Sequence, residues 1–541
     1  MLQFCNDWVT QRGEEGCQGG ACPQILWIWA NVSERAIRSI LIVGGGSAGW
    51  MTAAALSKKL AGLPVSIRLV ESAEIGIVGV GEATVPHIRY FNQTLGLDEA
   101  DFIKKTQATI KLGIKFADWA RIGDEYIHPF GEFGTHIHKV DFHHYWVKLR
   151  QLGDPHPIFD YSLPCVAAEQ DRFTLPRYDD SIFSSYGYAY HFDTNLYGPY
   201  LRTYAEARGV RRTEGKVVDV TLDGETGYVK SVQMESGEII TADLFVDCSG
   251  FRGLIIEQQL HAGYRDWTNY LPCNRAVACS SEWVGEPSPY TRATALEAGW
   301  QWRIPLQHRD GNGYVYCSEF ISDDEAAARF LGNLPGRPIS DPIFLRFTGG
   351  LRKTSWIRNC VSIGLACGFI EPLESTSIYL TQQGITALLE LFPDRDFDRA
   401  GIDEFNRIMN LEYERVRDFV ALHYHATERD DAPMWNYVRN MEIPESLAYK
   451  IRLWRERGHV VKYKDGMFLE PSWHAVYIGQ RWIPERYDPR VDNLTDEELR
   501  RGMALMREAV ARAAATMPGH KYYLDNAGLM IPPPFRKHAR G

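Results

Sequence analysis

The chain has 541 residues, 45% of them hydrophobic and 24% charged, which suffices for a large core in one complex domain or two to three interleaved ones. Its formal net charge of −10 speaks against an electrostatic grip on nucleic acid or on an anionic membrane surface. No apolar run approaches the roughly 18 residues of a membrane span, and residues 1–35 lack the basic start and apolar stretch of a secretory signal.

Residues 1–36 read as a loosely ordered extension. Cys17 and Cys22 within it have no paired downstream partners, and Cys273 and Cys279 are not spaced as a metal knuckle, so no metal site is expected. A reduced, cytoplasmic chain is the economical reading. Ser39–Val43 is a short apolar run, residues 44–49 form a glycine turn, and residues 50–60 have helical bias. Residues 65–70 read as a second strand, closed by Glu71. This is β-α-β, the start of a doubly wound sheet. The stretch from about 100 to 180 is irregular and aromatic, as expected of an inserted layer. Residues 193–208 look helical. Residues 216–222, 229–235 and 239–242 read as a meander of short strands, and 244–246 as a buried strand leading into Asp247-Cys248-Ser249-Gly250. Past residue 400 helices dominate. Thr495 with Glu498 makes a capping box, and Leu499, Met503, Met506 and Val510 share one helix face.

Gly44, Gly46 and Gly49 give G-x-G-x-x-G directly after a strand and opening a helix. The first glycine permits a tight turn, the second lets backbone N–H groups approach a pyrophosphate, and the third lets helix and strand pack closely. Glu71 stands where a carboxylate accepts hydrogen bonds from a ribose. The fingerprint suits NAD or FAD. FAD is favoured because no second such pattern occurs for a nicotinamide nucleotide. The stretch Asp247–Gly253 also follows a strand, as where a flavoprotein returns to its cofactor. Ser47, Ala48, Gly81, Ala83, Asp247 and Gly364 complete the expected cofactor-binding set.

Three further stretches stand out. Trp300-Gln301-Trp302-Arg303-Ile304-Pro305 puts both indoles and Ile304 on one face of a strand that Pro305 stops. Residues 79–86 form a glycine-hinged loop with little side-chain bulk, able to lie over a flat cofactor. Glu371-Pro372-Leu373-Glu374-Ser375-Thr376-Ser377 gathers two acids and several hydroxyls around a proline turn.

With these motifs, the sequence from about residue 37 to about 430 resembles the flavin-dependent halogenases of the tryptophan-halogenase family. Its paired signatures are G-x-G-x-x-G at 44–49 and W-x-W-x-I-P at Trp300, Trp302, Ile304 and Pro305. The resemblance implies an α/β fold in which a discontinuous, Rossmann-like FAD-binding domain carries a largely helical substrate domain. The FAD-binding module would span residues 37–400 with inserted substrate-layer segments at about 100–190 and 285–340, and residues 401–541 would be mainly helical. It further implies reduced FAD supplied by a separate NAD(P)H-dependent flavin reductase, O2, and chloride or bromide oxidised to hypohalous acid. That acid passes through a tunnel to a lysine beside a small aromatic substrate.

The matching lysine is Lys111, whose ammonium can donate to hypohalous acid or whose neutral amine can form a haloamine. A solvated surface lysine is the ordinary alternative; the apolar flanks Ile110, Leu112 and Ile114 speak against it. Glu374 matches the family's catalytic acid, placed to stabilise the cationic ring, with Ser375 beside it. The backbone amides of Thr376 and Ser377 match the halide site. The family usually has Gly where Ser377 stands, which leaves the halide preference open. His128 and Phe130 match a pair lining the substrate pocket, although a hydrogen-bonded core histidine serves equally for His128. Trp473 is a candidate pocket wall or a plain core residue.

Relatives acting on free tryptophan carry a late Tyr-Tyr pair followed by Glu, and residues 468–477 contain none. A buried zwitterion needs both charges satisfied, so indole or a simple substituted indole is expected instead. Two other readings stand beside halogenation. One is a flavin monooxygenase that hydroxylates its substrate, which the Trp300/Trp302 wall opposes. The other is a non-catalytic FAD-binding protein, which needs neither Lys111 nor Glu374. The aromatic-rich composition also suits a homodimer.

Overall fold

The structure is a computed structural model describing residues 34–75, 82–463 and 466–530. Most of the expected N-terminal extension, and Gly81 with the start of the glycine-hinged loop, lie outside the described residues.

The first strand, Ser39–Val43, is apolar at every position but the first. The reason is that both faces of its sheet are covered. Ile40 and Ile42 pack into the main core, whereas Leu41 and Val43 pack into a second cluster with Val220, Val232 and Ile240. A strand buried on both sides reads as a continuous hydrophobic run rather than an alternating one. It sits centrally in a six-stranded sheet with the order Trp356–Ile357, Cys360–Ser362, Leu244–Asp247, Ser39–Val43, Ser66–Glu71, Arg211–Glu214. All pairings are parallel except that of Trp356–Ile357 with Cys360–Ser362. The predicted nucleotide helix is Ser47–Lys59, buried along most of its length. The predicted meander is a separate antiparallel sheet of Val217–Leu222, Val229–Met234 and Ile239–Thr241, and it covers the sheet's second face.

The inserted layers build two further sheets. A seven-stranded one runs Ile343–Arg346, Arg275–Ser281, Asp310–Tyr316, Gly299–Pro305, Thr291–Leu296, Gly113–Ala117, Glu125–Pro129. Only the contact of Thr291–Leu296 with Gly113–Ala117 is parallel. A three-stranded one places Ala189–Phe192 between Glu82–Ala83 on one edge and Thr109–Lys111 on the other. After Phe369 every regular element among the described residues is a helix. The longest, Arg399–His425, lays Phe419, His423 and Tyr424 into the interior. Thr495 and Glu498 form the reciprocal capping box expected of them at the start of Asp496–Thr516. No described helix is long and apolar enough to cross a membrane.

Candidate active site

At the nucleotide end, Gly44 has φ +115°, and a Cβ there would lie 2.2 Å from the Cys248 carbonyl oxygen. Only glycine allows that turn. A Cβ on Gly49 would come within 1.9 Å of the Gly44 oxygen, so the helix packs directly on the turn. Gly46 is different: a Cβ there meets nothing within 4 Å. The helix that follows has Gly46 as its N-cap, with no side-chain cap and no acid in its first turn. Its first N–H groups are therefore available to an anion, which is what a pyrophosphate needs. Glu71 ends the neighbouring strand, held by Trp50 Nε1 at 3.2 Å and by the Arg212 guanidinium. Gly364 (φ +70°) abuts Ala48 so closely that a Cβ would be 2.6 Å from the alanine methyl. Ala83 is buried and pairs with His191. These residues fit a dinucleotide such as FAD.

Asp247, expected among the cofactor-binding residues, organises the loop that follows it. Its Oδ1 accepts from the Ser249 amide at 2.9 Å, and its Oδ2 accepts from the Ile255 and Ile256 amides, each at 2.8 Å. The buried carboxylate thereby satisfies three amides of the loop it starts.

Lys111, Glu374 and Ser375 come from strand and loop segments far apart in the chain, and the fold brings them together. Lys111 is fully buried, donates from Nζ to Ser375 Oγ at 2.8 Å, and lies 5.2 Å from the centre of the Phe130 ring. Burial lowers its pKa to about 7 against the opposing pull of the Glu374 and Glu82 carboxylates. Ser375 has φ +58°, a left-handed conformation rare for a residue with a side chain. The backbone reaches it through the turn Pro372–Glu374.

Glu374 is gripped by two histidines. His128 Nδ1 is 2.8 and 3.0 Å from its two oxygens, and His423 Nε2 is 2.8 Å from Oε1. Burial alone would raise this carboxyl, but the charge on His128 and the contacts from both rings outweigh it and bring it to about 2. His128 is thus both a hydrogen-bonded buried histidine and a neighbour of the candidate acid.

Thr376 is the N-cap of the helix Ser377–Glu390 and makes no side-chain cap; its buried Oγ1 has no partner. Unsatisfied donors therefore converge at this helix start. Ser377 opens the helix without a positive φ, a geometry serine adopts without strain, so its replacement of the expected glycine leaves the backbone undisturbed.

The tryptophan motif lies on the strand Gly299–Pro305. Trp300 and Trp302 face the same side, with ring centres 6.0 Å apart, and Ile304 is buried with them. Trp302 lies flat over Gly313, where a Cβ would be 2.1 Å from the indole. Pro305 ends the strand, and its carbonyl accepts from Thr109 Oγ1 at 2.6 Å, tying the motif to the Lys111 strand.

Residues 39–496 match the family model described as tryptophan halogenase. The chain belongs to that family. Among solved structures, the halogenase resembles BrvH, a flavin-dependent halogenase from Brevundimonas sp. BAL3. The two are 46% identical with a TM-score of 0.88, covering 92% of this chain and 100% of that one. Xcc4156, a flavin-dependent halogenase from Xanthomonas campestris, is 44% identical with a TM-score of 0.88, covering 91% and 98%. Tryptophan 6-halogenase ThaL of Streptomyces albogriseolus is 36% identical over 440 residues, 77% of this chain and 82% of that protein. The protein is accordingly a flavin-dependent halogenase, an oxidoreductase of a family that uses reduced FAD, halide, a separate flavin reductase and an aromatic substrate.

Several residues at the halogenase centre escape sequence reasoning. His423 and Phe419 occupy one face of a long helix, and nothing in that amphipathic pattern separates them from core residues. Phe419 stacks on Phe468 at 3.9 Å and meets Trp473 edge-on at 5.1 Å; His128 lies 5.6 Å from Phe419 and 6.1 Å from Phe468. Trp473 joins this cluster from the helix Glu470–Gly479, and its Nε1 donates to the Phe468 carbonyl. Glu82 lies within the glycine-hinged stretch 79–86, and burial raises it to about 7 against the pull of Lys111. Glu371 belongs to the acidic proline turn already noted, but its partners became visible only in three dimensions.

Proposed function

We propose that this halogenase delivers hypohalous acid through Lys111, Ser375 and Glu374 to an electron-rich aromatic, and that the substrate is indole or a simple substituted indole rather than free tryptophan. The observation that carries the reading is the buried triad itself: Lys111 Nζ on Ser375 Oγ, beside a Glu374 carboxylate clamped by His128 and His423. A binding protein needs no buried ammonium within coulombic reach of a buried carboxylate, because desolvating them is costly.

FAD would be held by the Gly44–Gly49 turn, the Ser47 helix start and Glu71; when bound and reduced it supplies, with O2, the oxidising equivalents that convert chloride or bromide to hypohalous acid. Halide is held by the amides of Thr376 and Ser377, where aimed N–H groups stabilise an anion without a counter-charge. Trp300 and Trp302 wall the substrate off from the flavin. In the substrate chamber the Lys111 ammonium turns from Ser375 Oγ to the oxygen of hypohalous acid. The ring carbon attacks halogen, the C–X bond forms as the O–X bond breaks, and the departing hydroxide takes a proton from Lys111 to leave as water. Ionised Glu374 stabilises the cationic ring and then receives its proton. A carboxylate of pKa about 2 is a weak base, but a protonated arene is a far stronger acid, so the transfer runs downhill. His128, Phe130, Phe468 and Trp473 present the flat surfaces a planar aromatic requires.

Two features support indole over tryptophan. The sequence lacks the Tyr-Tyr-Glu set for a zwitterion. The charges near Trp473 are also already used: Lys450 Nζ donates to Asp418 Oδ2 at 2.8 Å, and Asp418 further accepts from Ser446 and Arg417. Incubation with FAD, a flavin reductase, NADH, O2 and chloride or bromide, against a panel of indoles and tryptophan, checks the reading by halogen isotope patterns in the product mass spectrum. Faster halogenation of tryptophan than of indole overturns the substrate assignment, and hydroxylated product without halogen overturns the chemistry.

A further inference from the structure

Glu371 lies one turn before Glu374 and is 1% exposed, yet the reaction above gives it no part. Its Oε1 accepts from Trp300 Nε1 at 2.9 Å and from the Tyr424 hydroxyl at 2.5 Å. Its Oε2 is buried with no partner at all. No lysine, arginine or histidine is paired with it among the described residues. The other titratable groups facing it are the Tyr424 phenol, whose oxygen is 3.2 Å from Cys273 Sγ, and the Cys273 and Cys317 thiols. Burial pushes all three up, so at neutral pH none carries a charge that would favour or oppose an ionised Glu371.

An ionised carboxylate stripped of water, without a cation, and with both of its donors crowded on one oxygen is a poor arrangement. A neutral acid suits it. The proton sits on Oε2, and the carbonyl Oε1 accepts from both rings. We propose that Glu371 is a positioning residue held as a neutral carboxylic acid. It fixes the Trp300 indole and the Tyr424 phenol to the catalytic loop and keeps a second negative charge away from the halide amides of Thr376 and Ser377. The second half rests on the halide site proposed above.

Burial raises Glu371 to about 7, with the Tyr424 and Trp300 hydrogen bonds pulling the other way. Its folded-state pKa lies above the ordinary carboxyl value, so the neutral form prevails below about 7 and ionises as pH rises. The Glu371→Gln variant keeps the carbonyl acceptor for both donors and cannot ionise. It should therefore hold the low-pH bromide affinity at every pH.

Two measurements test this. The infrared difference spectrum of wild type minus Glu371→Gln should contain a protonated-carboxyl C=O band that disappears as pH rises through about 7. Its absence at low pH overturns the neutral-acid assignment, whether or not the halide site is where we place it. The KM for bromide in the wild type should rise at least about fivefold between roughly pH 6 and 8.5, as a new like charge disfavours the anion, while in Glu371→Gln it stays flat relative to that rise. A parallel rise in both proteins, or no rise in the wild type, overturns the electrostatic role. Ser377→Pro, which removes one amide N–H, separates the two ideas: an unchanged bromide KM in that variant sinks the halide site, while the infrared band judges Glu371 independently.

Discussion

In the proposed reaction Lys111 is the side chain on which the chemistry turns, and its burial sets its pH behaviour. With its pKa brought down to about 7, the ammonium that donates to hypohalous acid is present below that pH and lost above it. Halogenation at saturating halide should therefore decline as pH rises through about 7. Glu82→Gln removes one of the carboxylates that favour the ammonium, so the decline should move to lower pH; a pH–rate profile shifted the other way contradicts this role. Lys111→Ala should cut halogenation by roughly a hundredfold or more, with flavin binding by fluorescence titration unchanged. Glu374 follows the opposite sign. Its pKa is depressed from 4.5 to about 2, so the stability it contributes is present above about 4.5 and lost as pH falls through about 2. At the working pH of an enzyme it stays ionised.

Two helix starts carry the proposed anion sites, and the glycines at one of them separate folding from function. Gly46→Ala places a methyl in open space in the free chain, so the melting temperature without flavin should be nearly unchanged, while FAD affinity drops by about tenfold or more because the pyrophosphate needs that space. Gly44→Ala meets the Cys248 carbonyl and requires a left-handed residue; it should destabilise the protein itself by about 2 kcal/mol or more. Equal effects of the two substitutions on the flavin-free melting temperature would remove the distinction. At the other helix, Ser375 has its own strained turn. Ser375→Gly relieves the positive φ but leaves the buried Lys111 amine without its hydroxyl partner, so stability should fall by about 1–3 kcal/mol and activity should fall with it. A thermal melt and a turnover assay on the same preparation check both signs.

Across the whole molecule, the active site is assembled from segments that only the fold joins. The Lys111 strand is held from the far end of the chain: the Ile110 amide donates to His520 Nε2 at 3.1 Å, and His520 Nδ1 lies 2.7 Å from the Pro287 carbonyl. His520→Ala leaves that amide unpaired in the interior and should cost about 1–3 kcal/mol, together with a fall in kcat that exceeds any change in KM. A melt and steady-state kinetics measure both; full activity in the variant would show that the C-terminal clamp is irrelevant to catalysis.

The β-α-β start, the meander, the capping box and the tryptophan strand were legible because each is a local pattern of period, glycine or cap. The roles proposed for Lys111, Glu374 and the Thr376 and Ser377 amides came only through family resemblance, since spacing along the chain says nothing of which loops meet. The sequence by itself determined the backbone conformations, through glycines at turns and apolar runs on doubly covered strands. Tertiary structure alone decided that His423 closes on Glu374, that Glu371 receives Trp300 and Tyr424, and that Asp247 turns inward to its own loop. Those outcomes depend on desolvation and, for the two glutamates, on partners 49 to 71 residues away, and neither is written in local sequence.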